Sequence, residues 1–425
     1  MKPTALIATT TNWVHTARLA LALAQAGFWV EALCPPAHLV GKTQAAHRIH
    51  TYQWLTPLRS LLRAIAASVP DLIIPGDDLA ACHLRELYRR RELHSRDTVD
   101  IRSLLERSLG SPEFFSIAQS RAGFMDLVRE EGIRVPQTAV MKTHEDISDW
   151  IVRVGLPSVL KADGTSGGDG VRVVRTAAEA QRAFRKLQAP PLAARALKRA
   201  LVNQDRTLLW PLLLRHRPTV IAQAFVPGHE ATSTIACWKG TVLASLHFEV
   251  LRKCSAAGPA TVVRLIENAE MSTAIEKIVR RMGLSGICGF DFMLQAGTGN
   301  PYLIEMNPRA TQVGHITLGA GRDLPAALYS AVTGHPSRLT PALTENDTIA
   351  LFPHEWARDA ESEFLRTAYH DVPRDTPELV HACIRRGRKQ RAWYSRDDAN
   401  RAVAEPSPAL KTVTESSAAI KVAAR

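Results

Sequence analysis

A chain of 425 residues with 46% hydrophobic and 22% charged positions is too long for one small core and too apolar for a globally disordered polymer, so about two or three globular domains are expected. The formal charge of +12 suits anionic small substrates as well as nucleic acid or anionic membrane, and no zinc-finger spacing, RNP-like aromatic motif or basic heptad region sharpens the nucleic-acid reading. The six cysteines are scattered without a C-x-x-C pair, which argues against a zinc site or a disulfide framework and points to a reducing cytoplasm.

In chain order, Thr4 to Ala8 reads as a short buried strand. Residues 14–26 form an Ala/Leu-rich helix stopped by Gly27, and residues 29–33 a second strand, giving a β-α-β opening. This start does not read as a signal peptide, because Asn12, His15 and Arg18 interrupt it, and no apolar run approaches the length of a membrane span. The loop Thr9-Thr10-Thr11-Asn12 lacks the glycines of a dinucleotide fingerprint, so NAD is not expected. A further buried strand, Asp71 to Pro75, leads into Gly76-Asp77-Asp78. Open α/β sheets place ligands at that end of a strand, making Asp77 and Asp78 candidates for substrate contact. The simpler expectation is that Asp78 caps a helix from Leu79 to Arg91.

Phe114 to Glu131 reads as a helix ended by Gly132, followed by an extended segment. Val159 to Ala162 is a strand that enters a glycine-rich hairpin, Asp163 to Gly170, and returns through Val171 to Val174. This is not a P-loop, which needs G-x-x-x-x-G-K-[ST] running into a helix. Glycines let backbone N–H groups approach a phosphate chain, and Lys161 at the end of the incoming strand can add a point charge; a flexible β-turn is the competing reading. Residues 176–218 are basic and helix-forming, with an apolar run Leu208 to Leu214 that Pro211 breaks, which favours a buried packing segment over a membrane-surface helix. Val220 to Val226 is a strand followed by the turn Pro227-Gly228 and by Glu230; 232–238 and 241–248 pair around Lys239-Gly240.

Two apolar runs, Gly286 to Leu294 and Tyr302 to Asn307, flank a Gly/Asn turn, and each is interrupted by one acid. Asp291 and Glu305 therefore fall on neighbouring antiparallel strands, with Asn307 on the face of Glu305. If those faces coincide, two carboxylates and an amide oxygen converge in a hard-oxygen set suited to Mg²⁺. An ordinary hairpin with two acids in salt bridges is the alternative. Residues 319–333 read as a turn and helix, 349–352 as a late strand, and the Ala/Ser/Pro-rich tail from about Ala402 as disordered.

The glycine hairpin, the Phe225-Val226-Pro227-Gly228-x-Glu230 turn and the Asp291…Glu305-x-Asn307 hairpin, in that order, resemble the ATP-grasp superfamily of carboxylate-amine ligases. The likeness covers roughly residues 114–335 and, more loosely, the N-terminal region. It implies an α/β N-terminal domain followed by an ATP-grasp fold of two α+β subdomains: residues 1–112, then 113–225 with the linker helix and small ATP-binding subdomain, 226–340 with the large subdomain, 341–401 as a C-terminal extension and 402–425 as the tail. Such enzymes phosphorylate a carboxylate to an acyl phosphate, which an amine or similar nucleophile displaces.

By the same resemblance Lys161 contacts the α/β-phosphates of ATP, and Gly164, Ser166, Gly167, Gly168 and Gly170 belong to the loop closing over the β/γ-phosphates. Gln223, Ala224, Phe225 and Val226 form the adenine hinge, and Glu230 holds the ribose. Asp291, Glu305 and Asn307 ligate Mg²⁺, or Mn²⁺ in its place, and Arg309 acts with Lys161 on the transferred phosphoryl. The implied partners are a small carboxylate and an amine, and a homodimer is compatible. Arg121 stands where many members carry a phosphate-contacting lysine, and Gln223 where an acid often accepts from adenine; both keep the needed charge or acceptor. A biotin-dependent carboxylase or carbamoyl-phosphate-type enzyme is the alternative, since Val313-Gly314-His315 follows Arg309, but Gly314 replaces the acid of the carboxylase pattern. A nucleotide-binding regulator without turnover comes third, and the intact acid pair argues against it.

Overall fold

The computed structural model describes residues 2–90, 100–164, 170–189, 218–256, 258–337 and 341–387. Four parallel strands open it in the order β3-β2-β1-β4: Thr4–Ala8 (β1), Trp29–Cys34 (β2), Arg48–Thr51 (β3) and Leu72–Pro75 (β4). Side chains alternate along β1. Ala5 and Ile7 join Leu19 and Leu23 of helix α1 (Val14–Ala26), whereas Leu6 and Ala8 join Leu61 and Ile65 of α2 (Pro57–Ser68) and Leu84 of α3 (Asp78–Arg89). Helices thus cover both faces, which is why the strand is apolar throughout. Helix α4 (Ile101–Leu109) completes this layer through Leu104 and Leu105.

Helix α5 (Arg121–Glu130) leads into a four-stranded antiparallel sheet. Its strands are Thr138–Met141 (β5), Ser158–Ala162 (β6), Val171–Val174 (β7) and Val220–Ala224 (β8), in the order β5-β8-β6-β7. Helices α6 (His144–Val154) and α7 (Ala177–Gln188) pack on it through Trp150 and Phe184.

The third sheet has seven strands in the order β13-β12-β9-β10-β11-β14-β15. They are Gly228–Trp238 (β9), Thr241–Lys253 (β10), Ala260–Ile266 (β11), Gly286–Gln295 (β12), Pro301–Asn307 (β13), Thr348–Ala350 (β14) and Tyr369–His370 (β15). One face packs on helix α8 (Ala269–Met282), with Ile275 and Val279 against Ile235 and Phe290. The opposite face shares a core with α1 and with α9 (Leu324–Thr333). The N-terminal layer and the large sheet are therefore joined through one apolar core. The C-terminal extension supplies the last two strands of that sheet.

Several local expectations change. The helix expected over 114–131 is instead two 3-10 turns, Pro112–Phe114 and Ile117–Gln119, followed by α5. Ser120 is extended and its hydroxyl accepts from the Gly123 N–H at 3.1 Å, so the helix restarts there with a fresh N-cap. The helix expected from Leu79 begins at Asp78 and is capped by Asp77, not Asp78. Glu230 lies inside β9 rather than after a turn, because that strand begins at Gly228. The Leu208 to Leu214 run and the tail from Ala402 lie outside the described residues. Among those described, no helix is long and apolar enough to cross a membrane.

Candidate active site

Strands β12 and β13 pair so that Asp291 stands opposite Glu305 and Gly289 opposite Asn307. Directly opposed residues share a face, so the two acids project together. Plain alternation from the turn, where Leu294 pairs with Pro301, would set Asp291 opposite Ile304, and the register shift between Asp291 and Phe292 is what brings Glu305 opposite it. Strand β9 lies on the other side of β12 and places Thr232 opposite Asp291. The Thr232 hydroxyl donates to Asp291 Oδ1 and Asn307 Nδ2 donates to Asp291 Oδ2, each at 2.9 Å.

The two acids differ electrically. Burial, with the neighbouring Glu305 charge, raises the Asp291 carboxyl to about 6. Burial acts on Glu305 too, but Arg121 and Lys161 outweigh it and hold that carboxyl below the usual glutamate range. Arg121 Nη2 donates to Glu305 Oε1 at 2.8 Å, and Nη1 donates to the Ala162 carbonyl and lies 3.8 Å from Asp163 Oδ1. One guanidinium thus ties β6 of the small sheet to β13 of the large one. Lys161, nearly buried on β6, donates through Nζ to the Ile304 carbonyl at 3.3 Å, and burial lowers its pKa despite Glu305.

Arg309 follows β13. Its Nε donates to Asp78 Oδ1 at 2.8 Å, Nη1 to the Ala310 carbonyl at 3.1 Å and Nη2 to Asn307 Oδ1 at 3.2 Å, while the guanidinium lies 5.3 Å from the Trp13 ring. The two acids at the end of β4 therefore divide the work. Asp78, first residue of α3, reaches Arg309; Asp77, 1% exposed, caps α3 through the Ala80 N–H and fixes the loop after β1. Asp77 accepts from the N–H groups of Thr10 at 2.5 Å and Thr11 at 3.1 Å, and from the hydroxyls of Thr9 and Thr10 at 2.7 and 2.9 Å. That loop carries Trp13.

The residues expected to contact nucleotide lie on or beside β6, β8 and β9. Gln223 on β8 is buried and donates through Nε2 to the Thr138 hydroxyl at 3.2 Å; Ala224 gives its N–H to the Gln137 carbonyl at 2.8 Å. Phe225 is 38% exposed and Val226 buried. Glu230 on β9 pairs with Lys253 of β10 at 2.5 Å, a partner hidden from the sequence because β10 runs five residues past Phe248. Gly164 opens the glycine hairpin at φ +71°, and the Gly170 carbonyl accepts from the Ala162 N–H at 3.0 Å to close it. Ser166, Gly167 and Gly168 lie outside the described residues.

Two opposed carboxylates fit Mg²⁺, which takes oxygen ligands and keeps water and phosphate oxygens for its other positions; the Asn307 amide beside them turns its nitrogen to Asp291 and its oxygen to Arg309, so it joins the set once its oxygen leaves Arg309. Around them Arg121, Lys161 and Arg309 supply three positive charges from three elements, as a phosphate chain requires. Sequence reasoning missed Trp13, Thr232, Lys253 and the Asp78–Arg309 pair. Only Asp78 carried a signal, its place at the end of a parallel strand.

Residues 120–313 match the family model of the ATP-grasp domain. The carbamoyl phosphate synthase large chain of Methanoregula boonei is 26% identical over 252 residues, 54% of this chain and 19% of that protein, so this chain spans about a fifth of that relative. The formate-dependent phosphoribosylglycinamide formyltransferase of Burkholderia lata is 23% identical over 313 residues, 71% of this chain and 68% of that protein. Among solved structures, N5-carboxyaminoimidazole synthetase from Staphylococcus aureus complexed with ADP matches with a TM-score of 0.55 at 16% identity, covering 80% of each chain.

Proposed function

We propose that this chain, which carries an ATP-grasp domain, is an ATP-dependent ligase that activates a small carboxylate as an acyl phosphate and joins it to an amine, releasing ADP and phosphate. The observation that carries this reading is the register that sets Asp291 against Glu305 while Arg121, Lys161 and Arg309 converge on the same cleft from α5, β6 and the end of β13. Phosphoryl transfer to a carboxylate needs neither a nucleophile nor a proton relay from the protein. It needs charge neutralisation and in-line positioning.

Asp291, Glu305 and Asn307 would hold Mg²⁺, which would supply positive charge to offset that of the terminal phosphates. Arg121 and Lys161 bind phosphate oxygens, the Gly164 to Gly170 loop covers them, and residues 223–226 with Glu230 seat adenine and ribose. A carboxylate oxygen attacks the γ-phosphorus and ADP leaves; Arg309 steadies the moving phosphoryl. The amine nitrogen then attacks the acyl carbon, the bond from carbon to the bridging oxygen breaks, and phosphate departs with that oxygen. Residues 1–112 and the segment from Arg309 onward shape the carboxylate and amine pockets, and a cytoplasmic location suits such metabolite substrates. Bicarbonate is the second reading for the carboxylate, favoured by the likeness to a carbamoyl phosphate synthase and opposed by Gly314, which has no side chain to serve as a base.

The test is a screen of carboxylates against amines for ADP and phosphate release, followed by oxygen-18 labelling of the active carboxylate. Label in the released phosphate is expected. AMP as the main nucleotide product, or label retained wholly in the ligated product, overturns the mechanism.

A further inference from the structure

A second polar cluster lies behind the Trp13 ring. That ring sits 5.3 Å from the Arg309 guanidinium and 5.0 Å from the His15 ring. His15 in turn lines a small cavity with Arg18, Gln312, His315, His354 and Asp371. Three distant parts of the chain build it: α1, the segment after β13 and the C-terminal extension.

Asp371 organises the cavity. Its Oδ1 accepts from Arg18 Nη2 at 2.5 Å, its main-chain carbonyl from Arg18 Nη1 at 2.7 Å, and its Oδ2 from His315 Nε2 at 2.9 Å. The charges of Arg18 and Asp371 cancel, which leaves imidazoles as the active lining. The Gly76 carbonyl can only accept, so His15, 3.2 Å from it through Nε2, carries its proton there and keeps a lone pair on Nδ1. A carboxylate fixes His315 in the same tautomer. Its Nδ1 is buried without a hydrogen-bond partner among the described residues, although the Gln312 carbonyl acts on the same ring. Buried polar atoms are ordinarily satisfied, so this one marks a place where a ligand atom belongs.

We propose that this cavity holds the amino group of the nucleophile, a primary amine or ammonia, through the Nδ1 lone pairs of His15 and His315; the proposal rests on the ligase reading above. Three observations select the ligand. The cavity takes only a water-sized group, so it receives an amino head rather than a side chain. The two Nδ1 atoms accept, so they call for an N–H donor. Arg18, the cation that would attract a carboxylate, is already committed to Asp371.

The same surroundings set the protonation state of the guest. Burial, with Arg309 adding to it, lowers His15 to about 3, and burial lowers His354 to about 4, so both rings stay neutral and neither is a base strong enough to take a proton from ammonium. An ammonium entering meets the same loss of solvent and the charge of Arg309, while the carboxylate in the lining, Asp371, which favours the charged form of its ring neighbours, is already paired with Arg18. The ammonium therefore sheds its proton to solvent on entry and binds as the free amine, the form whose lone pair attacks an acyl carbon. After attack, the departing phosphate takes the proton that the nitrogen loses. The C-terminal extension, through Asp371 as a positioning residue, is on this account part of the active site.

The experiment uses the full chain with ¹⁵N-labelled histidine and Mg²⁺ with a non-hydrolysable ATP analogue, and titrates methylamine, ammonium, tetramethylammonium and acetate. Methylamine and ammonium should move the ring-nitrogen resonances of His15 and His315, tetramethylammonium and acetate should not, and calorimetry in two buffers of different ionisation enthalpy should show close to one proton released per methylamine. His315→Phe, which keeps ring bulk but removes the lone pair, should weaken methylamine about tenfold, the worth of one hydrogen bond. Asp371→Asn should uncouple His315 from the titration while His15 still responds; should that variant fail to fold, His315→Phe carries the test alone. Rings that ignore both amines, or respond equally to tetramethylammonium, overturn the proposal, as does binding without proton release. Failure of the ATP analogue to bind would instead overturn the ligase reading.

Discussion

Acidification from pH 7 to pH 5 should destabilise this fold steeply, because three histidines are buried as neutral rings. His38 accepts from the Val40 N–H on Nδ1 at 3.0 Å and meets the Thr11 carbonyl through Nε2 at 3.1 Å, so protonating Nδ1 removes an acceptor. Burial, assisted by Arg386, lowers it to about 3; burial lowers His15 to about 3 and His354 to about 4, all from an ordinary 6.5. Between those values and 6.5 the unfolded chain binds protons that the native state refuses, so stability falls as pH drops through 6.5. At pH 5 each ring costs about 2 kcal/mol, and the three together about 6 kcal/mol. Asp291, raised to about 6, has the opposite sign and returns about 1 kcal/mol over the same interval. A net loss of about 5 kcal/mol is a large share of the 5–15 kcal/mol, or about that, typical of native proteins. The assay is urea unfolding followed by tryptophan fluorescence at pH 7, 6 and 5, and His38→Gln should flatten the pH dependence by about a third. An unfolding midpoint constant across that range would refute the reasoning.

Asp77→Ala removes an N-cap and strands several donors that now share one buried carboxylate, so a loss of about 3 kcal/mol is expected in thermal unfolding, and a change below about 1 kcal/mol would count against the clamp. In Gly228→Ala the new Cβ would lie 1.9 Å from the Leu294 carbonyl oxygen at a φ of +150°, forcing β9 from β12 at a cost of at least about 2 kcal/mol. Gly299→Ala is the control for backbone strain alone, since at φ +71° it meets no atom within 4 Å; a cost at Gly228 no larger than at Gly299 would refute the steric account. Arg309→Ala should lower kcat by about a hundredfold while changing ATP affinity only a few-fold. Equal losses in steady-state turnover and equilibrium nucleotide binding would assign Arg309 to ground-state binding.

Strands and hairpins with strong local patterns were legible in the sequence. The β-α-β opening announces itself by apolar runs and Gly27, and the two arms that carry Asp291 and Glu305 announce themselves around a Gly/Asn turn, whereas the one-residue register shift that opposes the two acids carries no local signal. Boundaries set by caps were less so: Ser120 restarting a helix, or Asp77 rather than Asp78 capping one, depends on which of two adjacent polar residues turns inward. Helix α8 and strand β11 went unanticipated although α8 carries helical periodicity, with Met271, Ile275, Ile278 and Met282 all buried. Long-range partners left no local trace at all. Nothing around Lys253 or Thr232 marks them as companions of Glu230 and Asp291, because a sheet creates those neighbours by register rather than by spacing.

The ion pair between Arg18 and Asp371 joins residues 353 positions apart. On a ribosome adding roughly 5–20 residues per second, helix α1 emerges roughly 20 to 70 seconds before the carboxylate that neutralises its arginine exists. Until then the first βαβ layer can assemble only with Arg18 turned to water, since an unpaired guanidinium is too costly to bury. The N-terminal layer is therefore the first part of the chain to be made and among the last to be finished, and a nascent chain halted before Asp371 should leave the face of α1 that carries Arg18 open to protease.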